Sequence, residues 1–384
     1  MRIACVTPSA VPATTANSIQ ALKTCRALAA VSGPVCLWAP CRDEPLLLEW
    51  AVLADRYGLG DGPAFEFRFT RSRPALKRYD FTFSALAEAQ RWRADLVYTW
   101  LPQVALLALQ RGLPAVLEVH DLPTGRLGPW LFRRVLHHPV RRRILVITAA
   151  LRSRLAERFG PLVDTDAVMV APNGVTLEQY AALPAPSDAR RELGLPEQTT
   201  AVYSGHFYAG RGMDLLLSLA RALPQVQFLW VGGRPADVDA WRARLQAEGL
   251  TNVVLTGFVP NRALPRYQAA GDMLLMPYEQ VIAGSSGGNS AEICSPMKMF
   301  DYLAAGRAIV TSELPVLREV LNESNAVFCP PADTGAWQAA VSALANDPTR
   351  RGALGSRARA DSLRYSWEER ASRALSGFVT DPTL

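Results

Sequence analysis

Lysine is almost missing from this sequence: of 41 basic residues only Lys23, Lys77 and Lys298 are lysines, the rest being arginines. Such a skew fits GC-rich coding better than nucleic-acid binding, and no nucleic-acid-reading motif accompanies the charge. A formal charge of +6 on 384 residues is modest, so nucleic acid is not an expected partner. No uninterrupted apolar run approaches the about 18 residues of a membrane-spanning helix. The opening MRIACVTPSAVP has no basic lead and too short an apolar run for a secretory signal, and reads as a strand entering a turn. The six cysteines show no C-x-x-C spacing and sit mostly in apolar stretches, which points to a cytoplasmic protein with reduced thiols and no structural zinc. What is present is apolar: 49% hydrophobic residues against 20% charged exclude large-scale disorder. The length exceeds one ordinary core and fits two domains.

Apolar runs of strand length alternate with helix-period segments throughout. In the first half the strand candidates are 2–7, 35–38, 65–69, 96–100, 115–120, 144–148 and 167–171, with helix candidates at 18–30, 46–57, 83–92 and 149–159. The pattern restarts with strands at 201–204, 228–231, 253–256, 273–276, 308–311 and 326–328. Continuous Val/Ile/Leu runs separated by helices predict parallel strands covered on both faces. The expected fold class is α/β, as two Rossmann-like domains facing across a cleft. The seam falls near the Pro172-Asn173-Gly174 turn and the Pro-rich stretch 183–186. The expected bounds are 1–170 and 171–360, with 361–384, including Trp367, returning to the first domain. Ligands of parallel sheets bind beyond the carboxyl ends of the strands, so the site is expected there.

The most informative segment is Ser295-Pro296-Met297-Lys298-Met299-Phe300-Asp301-Tyr302-Leu303-Ala304-Ala305-Gly306. Ser then Pro predicts a helix start, with Ser295 as N-cap and Pro296 at the first helical position. Lys298 then stands third, where a cation opposes the helix dipole at a cost of roughly 0.3–1 kcal/mol. The placement makes sense if an anion binds that helix end and the lysine completes its cradle. Asp301, further along the same face, is placed to accept hydrogen bonds from ribose hydroxyls. The plain alternative is a surface Lys–Asp pair worth a few tenths of a kcal/mol, and these residues alone leave both open. A second segment repeats the anomaly. A strand ends at Gly205, His206 to Gly212 form a loop, and Met213 opens an amphipathic helix with Arg211 at its mouth. Gly205, Gly210 and Gly212 allow close backbone approach. Two such cations after Gly/Ser-rich loops favour a diphosphate site over two solvated side chains.

With these residues in view, the sequence resembles the retaining GT-B glycosyltransferases of family 4. Residues 203–217 are similar to that family's phosphate loop and 295–306 to its nucleotide-sugar helix. Asn173-Gly174-Val175 resembles the interdomain turn, Gly257-Phe258-Val259-Pro260 the base-contacting loop, and Asn17-Ser18-Ile19-Gln20-Ala21 the first helix of the acceptor domain. The likeness covers nearly the whole chain and is strongest from 170 to 320. It implies that 1–170 binds the acceptor and 171–360 the nucleotide sugar. Arg211 and Lys298 would bind the donor diphosphate and offset its charge as it leaves, with Gly205, His206, Gly212, Val259 and Ser295 completing the donor site. Asp301 matches the second acid of the family's pair, the one that holds the ribose. His120, in Glu118-Val119-His120-Asp121, matches the active-site histidine beside the transferring sugar, with Asn17 and Asp121 on the acceptor side. The resemblance implies no metal and no cofactor, since protein cations do the metal's work and the nucleoside-diphosphate sugar is a substrate.

The chain departs from the family pattern at two places. Ile293 stands eight residues before Asp301, where the first glutamate belongs, with Glu292 one step off; His206 stands where the family often has Arg. Donor-sugar hydroxyls are then expected to meet backbone groups of 284–290. Asp164-Thr165-Asp166 and Asp237-Val238-Asp239 match the D-x-D pattern of metal-dependent transferases but lie in polar connecting segments, and are read as loop or cap acids. The run 285–290 lacks G-x-G-x-x-G spacing, which argues against NAD. Between Asp121 and Glu157 lie eight arginines (Arg126, Arg133, Arg134, Arg141, Arg142, Arg143, Arg152, Arg154) and no acid, interleaved with Trp130, Leu131, Phe132 and Val135. A basic amphipathic stretch can rest on anionic lipid, each cation contributing about 1 kcal/mol; a solvated helix face is the alternative.

The expected activity is transfer, with retained configuration, from a nucleoside-diphosphate sugar to a glycan or lipid-linked acceptor. It belongs to cell-surface polysaccharide or glycoconjugate biosynthesis, in the cytoplasm or peripherally at the inner face of the membrane. Two other readings stay open: a nucleotide-sugar epimerase of the same architecture, and a catalytically silent partner subunit in view of Ile293 and His206.

Overall fold

The computed structural model describes residues 1–13, 15–41, 49–60, 64–72, 79–282 and 289–378. The chain divides into two compact units, Met1–Asn173 with Trp367–Leu384, and Gly174–Ser366. The first unit holds seven strands: β1 (Ile3–Val6), β2 (Val35–Cys41), β3 (Glu66–Arg71), β4 (Leu96–Thr99), β5 (Ala115–Val119), β6 (Arg142–Val146) and β7 (Val168–Val170). They form one parallel sheet in the order β3-β2-β1-β4-β5-β6-β7. Every residue of β1, β4 and β5 is buried, the pattern of strands covered on both faces. The helix after β1 runs Ala16–Ser32, capped by Thr15, whose side chain accepts from Ser18 N at 3.3 Å. Of the helix expected at 46–57, the described part is Trp50–Tyr57. The last helix, Trp367–Leu375, packs on Ala16–Ser32, and Arg26 Nη1 donates to Glu368 Oε1 at 2.7 Å.

The arginine-rich stretch is not one amphipathic surface. The helix Gly128–Leu136 buries Phe132, Val135 and Leu136 in the unit's own core. Arg142 donates to the carbonyls of Leu136 and His138 and so closes that helix's C-terminus. Arg143 Nη1 donates to the carbonyls of Arg373 and Ala374 at 2.8 and 2.9 Å, and Arg141 donates to that of Gly377. These cations satisfy carbonyls that a helix end leaves orphaned. At the surface remain Arg126, Arg133 and Arg134, beside Leu127 and Trp130, which are 51% and 54% exposed.

The second unit holds six strands: β8 (Thr200–Gly205), β9 (Gln227–Gly232), β10 (Val253–Gly257), β11 (Met273–Met276), β12 (Ala308–Ser312) and β13 (Ala326–Cys329). They too form a parallel sheet, in the order β10-β9-β8-β11-β12-β13. Its core gathers Tyr203, Phe228, Trp230, Leu216 and Trp337. The order reverses between β8 and β11, and beyond their carboxyl ends the two flanking loops part. That crevice positions the site of this unit.

Candidate functional site

Two loops leave the crevice edge: 205–212 after β8, and the segment from Pro277 after β11. The helix Met297–Ala305 delivers Lys298 to them. Its N-cap is Pro296, with an extended ψ of 124° and no side-chain capping bond, so Lys298 is the second helical residue. The expected start is therefore corrected by one position: proline fixes φ but not ψ, and buried Ser295 stays outside the helix. Tyr302, one turn on, locks the helix down. Its hydroxyl accepts from Ser204 N at 2.9 Å and donates to Leu275 O at 3.2 Å, joining the ends of β8 and β11.

Lys298 reaches the end of β8. Its Nζ lies 4.1 Å from the Tyr203 ring centre and 5.3 Å from that of Tyr278. Gly205, with φ of +148°, makes room: a Cβ there would stand 2.7 Å from Lys298 Nζ. The guanidinium of Arg211 is sandwiched at 4.8 and 4.9 Å from the rings of Tyr208 and Tyr278 and donates to the Tyr208 hydroxyl. Gly212 caps the next helix, Met213–Ala222, at φ of +70°; its Cβ would fall 1.9 Å from Pro277 O, so no side chain fits. Lys298 Nζ and Arg211 Nε are buried and have no hydrogen-bond partner among the described residues. Burial, then the Arg211 charge, pushes the Lys298 ammonium well below its ordinary value. His206 stacks on Tyr208 at 5.5 Å. Burial first, then Arg211, Lys298 and Arg234, lower its basicity.

The structure thus brings Gly205, His206, Arg211, Gly212 and Lys298 together. Val259 lies beyond edge strand β10, on the same side of the sheet. Asp301 is buried beside Tyr180, whose hydroxyl donates to Gln268 Oε1 at 2.9 Å and is raised in pKa by burial and then by the Asp301 charge. Gly212 N donates to Glu279 Oε1 at 3.2 Å, so the helix end expected to face an anion already meets a carboxylate of its own chain. Of the backbone run 284–290, residues 284–288 lie outside the described residues. Asn289 Oδ1 accepts from Ile282 N at 2.9 Å and its Nδ2 donates to Gln280 O at 2.7 Å, clasping the stem. Three of the four D-x-D acids are paired with arginines: Asp164 with Arg152 at 3.5 Å, Asp237 with Arg234 at 2.8 Å and Asp239 with Arg242 at 2.7 Å.

In the first unit, Asn17 is exposed in the first turn after β1, and His120 and Asp121 follow β5. Asp121 Oδ1 accepts from Leu122 N at 2.7 Å. His120, 26% exposed, places Nε2 2.7 Å from Glu118 Oε1. Glu118 is fully buried, and four residues converge on it. Gln20 Nε2 donates to Oε1 at 2.6 Å, Arg370 Nη2 to Oε1 at 2.6 Å and Nη1 to Oε2 at 3.2 Å, and the Tyr98 hydroxyl to Oε2; His120 is the fourth. Burial alone would raise the Glu118 pKa, but Arg370 and then His120 outweigh it and hold it at about 2.

Sequence reasoning passed over the tyrosines of the crevice and the partners of Glu118. Tyr302 carried a signal, four residues from Lys298 and hence on its face of the helix. Arg370 carried none, lying 252 residues from Glu118.

Two family models match the chain: Glycosyltransferase Family 4 over residues 18–179 and Glycosyl transferases group 1 over 198–347. The D-inositol 3-phosphate glycosyltransferase of Xylanimonas cellulosilytica is 28% identical over 309 residues, covering 76% of this chain and 67% of that protein. The phosphatidyl-myo-inositol mannosyltransferase of Mycobacterium tuberculosis is 29% identical over 296 residues, 73% and 71% of the two chains. Among solved structures, sucrose-phosphate synthase of Thermosynechococcus elongatus matches with a TM-score of 0.72 at 19% identity, over 96% of each chain. Anabaena HepE, solved with UDP, matches with a TM-score of 0.71 at 15% identity, over 98% and 99%. These structural matches give the two-sheet GT-B fold.

Proposed function

The chain belongs to the group 1, family 4 glycosyltransferases and uses a nucleotide sugar; we propose that it moves a hexose, with retained configuration, to a lipid-linked or glycan acceptor. The observation that carries the donor side is Lys298. An ammonium sealed from water without a hydrogen-bond partner among the described residues is unfavourable by itself, and a diphosphate over Gly205 supplies the missing counter-charge. Arg211 is the second cation, and its aromatic sandwich holds the planar fork in place. Both groups act most strongly on the charge that develops as the diphosphate leaves. Glu118 is no nucleophile, because its carboxylate is already saturated by the donors around it. Asp301 faces Tyr180, from where it reads as a support of the ribose side. Leaving-group-assisted attack on the donor's own face fits this set, with His120 beside the transferring sugar and Asn17 and Asp121 toward the acceptor.

The reading is tested by a thermal-shift screen of nucleoside-diphosphate sugars, followed by transfer with the preferred donor and an anomer assignment by NMR. A matching donor at about 100 times its Kd is expected to add about 2.7 kcal/mol, several degrees in Tm. A screen without any shift, or a product of inverted configuration, contradicts it. Product formation only in the absence of acceptor points to an epimerase instead.

The relative named for phosphatidyl-myo-inositol supports an acceptor at a membrane surface, whereas the one named for D-inositol 3-phosphate is named for a water-soluble compound. On this chain the matching feature is Leu127 and Trp130, exposed beside Arg126, Arg133 and Arg134. No helix among the described residues is long and apolar enough to cross a membrane. Vesicles rich in phosphatidylglycerol are expected to sediment the protein at low salt and release it at high salt. Trp130→Ser with Arg134→Ser should weaken that binding several-fold; absence of wild-type binding at low salt removes the membrane from the proposal.

A further inference from the structure

We infer that the buried Glu118–Arg370 pair is a positioning device that fixes the ring and the proton of His120. The inference rests on reading His120 as the group beside the transferring sugar. A fully buried carboxylate in contact with a guanidinium carries no proton, so it only accepts hydrogen bonds. The 2.7 Å approach of His120 Nε2 to Glu118 Oε1 is therefore a donation from the ring, which leaves Nδ1 as the ring atom able to meet a substrate hydroxyl. Nδ1 has no hydrogen-bond partner among the described residues, and the side chain keeps 26% of its surface. Ring orientation and tautomer are then set by one contact.

That contact is itself fixed from three directions. Gln20, from the first helix, and Tyr98, from β4, hold the two carboxylate oxygens apart from each other's donors. Arg370, on the last helix, spans both oxygens and anchors its own Nε to the carbonyl of Pro172 at 2.8 Å. A bidentate guanidinium on a buried carboxylate leaves that carboxylate one geometry. The C-terminal helix is thus tied to β5, to the chain just past β7 and, through Glu118, to the histidine.

The experiment is ring-nitrogen NMR of the full chain. It has four histidines, and His120→Gln assigns the resonance. Expected is a wild-type His120 in the Nε2–H form, with a downfield, slowly exchanging Nε2 proton. The variant Glu118→Leu/Arg370→Met removes both charges together, so that neither is left unpaired, and leaves His120 Nε2 no acceptor at position 118. In it that proton should exchange too fast to be seen, and kcat should drop by up to about 10²-fold at an unchanged donor KM. A wild-type ring in the Nδ1–H form, or the same protected proton in the double variant, overturns the inference; the wild-type spectrum decides even if the variant fails to fold. If the spectra come out as expected but His120→Gln leaves kcat intact, the pair does position the ring, and the assignment of His120 to the reaction is what fails.

Discussion

Lys298→Met is expected to lower kcat/KM for sugar transfer by about 10²–10³-fold while raising, not lowering, the Tm of the ligand-free protein. The two effects share one cause. Keeping an ammonium out of water without a hydrogen-bond partner costs several kcal/mol, of the order found for buried ions in proteins. Its approaches to the Tyr203 and Tyr278 rings at 4.1 and 5.3 Å return about 2 kcal/mol, less than the several kcal/mol that desolvation costs. Methionine fills much the same volume with no charge to desolvate, and a gain of about 1–2 kcal/mol, a few degrees, should follow. Arginine is no conservative replacement, because its fork does not fit the space over Gly205 that a single Nζ occupies.

The same lysine gives donor binding a pH dependence with a definite sign. Its folded-state pKa lies below the ordinary lysine value, so the unfolded chain binds the extra proton and apo stability rises with pH across that interval. A bound diphosphate favours the charged form. At a pH between the depressed value and the higher one of the donor complex, donor binding should therefore take up a proton, and affinity should fall as pH rises across that interval. Calorimetry in two buffers of different ionisation enthalpy measures the uptake, and Lys298→Met should abolish it. A variant with wild-type kcat/KM, or with a lower Tm, contradicts this account of the site.

Arg370→Ala is expected to destabilise the protein by about 3–5 kcal/mol, the usual result of removing one partner from a buried ion pair. What remains is a Glu118 carboxylate with Gln20, Tyr98 and His120 as its donors among the described residues and no guanidinium to offset its burial. In the wild type, Glu118 has its pKa held at about 2. It contributes stability that is present above the unfolded carboxylate value and is lost as pH falls toward 2, roughly 3 kcal/mol in all. Without Arg370 burial drives the folded-state pKa up, so that acid loss should shrink and, once the pKa passes the unfolded value, reverse, acid then relieving the destabilisation. Urea unfolding from about pH 7 to 3 reads both effects; a variant within about 1 kcal/mol of wild type at neutral pH would show the pair to be structurally idle.

The parallel α/β character was legible because a strand buried on both faces is written as a largely apolar run, and β1 and β11 are apolar throughout. The crevice cations were legible for a related reason: a positive side chain at a helix start is locally unfavourable, and the anomaly shows in a few consecutive residues at Arg211 and Lys298. The same local logic misplaced the helix start at Ser295 by one residue, since proline fixes φ but leaves ψ, here an extended 124° at Pro296, undetermined. It also read the arginines after Asp121 as one surface. Periodicity tells which residues share a helix face, but not that Arg142 and Arg143 turn to carbonyls elsewhere in the fold.

By itself, then, the sequence determined the alternation of elements, the two parallel sheets and the two out-of-place cations, Arg211 and Lys298, all of which depend on neighbours within a turn or a strand. Tertiary structure alone decided that Tyr203, Tyr208 and Tyr278 wall in the two cations, that Glu279 meets the Gly212 amide, and that Arg370 holds Glu118 against His120. Those groups are joined only by chain folding over long separations, and a side chain's partners at such distances leave no periodic trace in the residues around it.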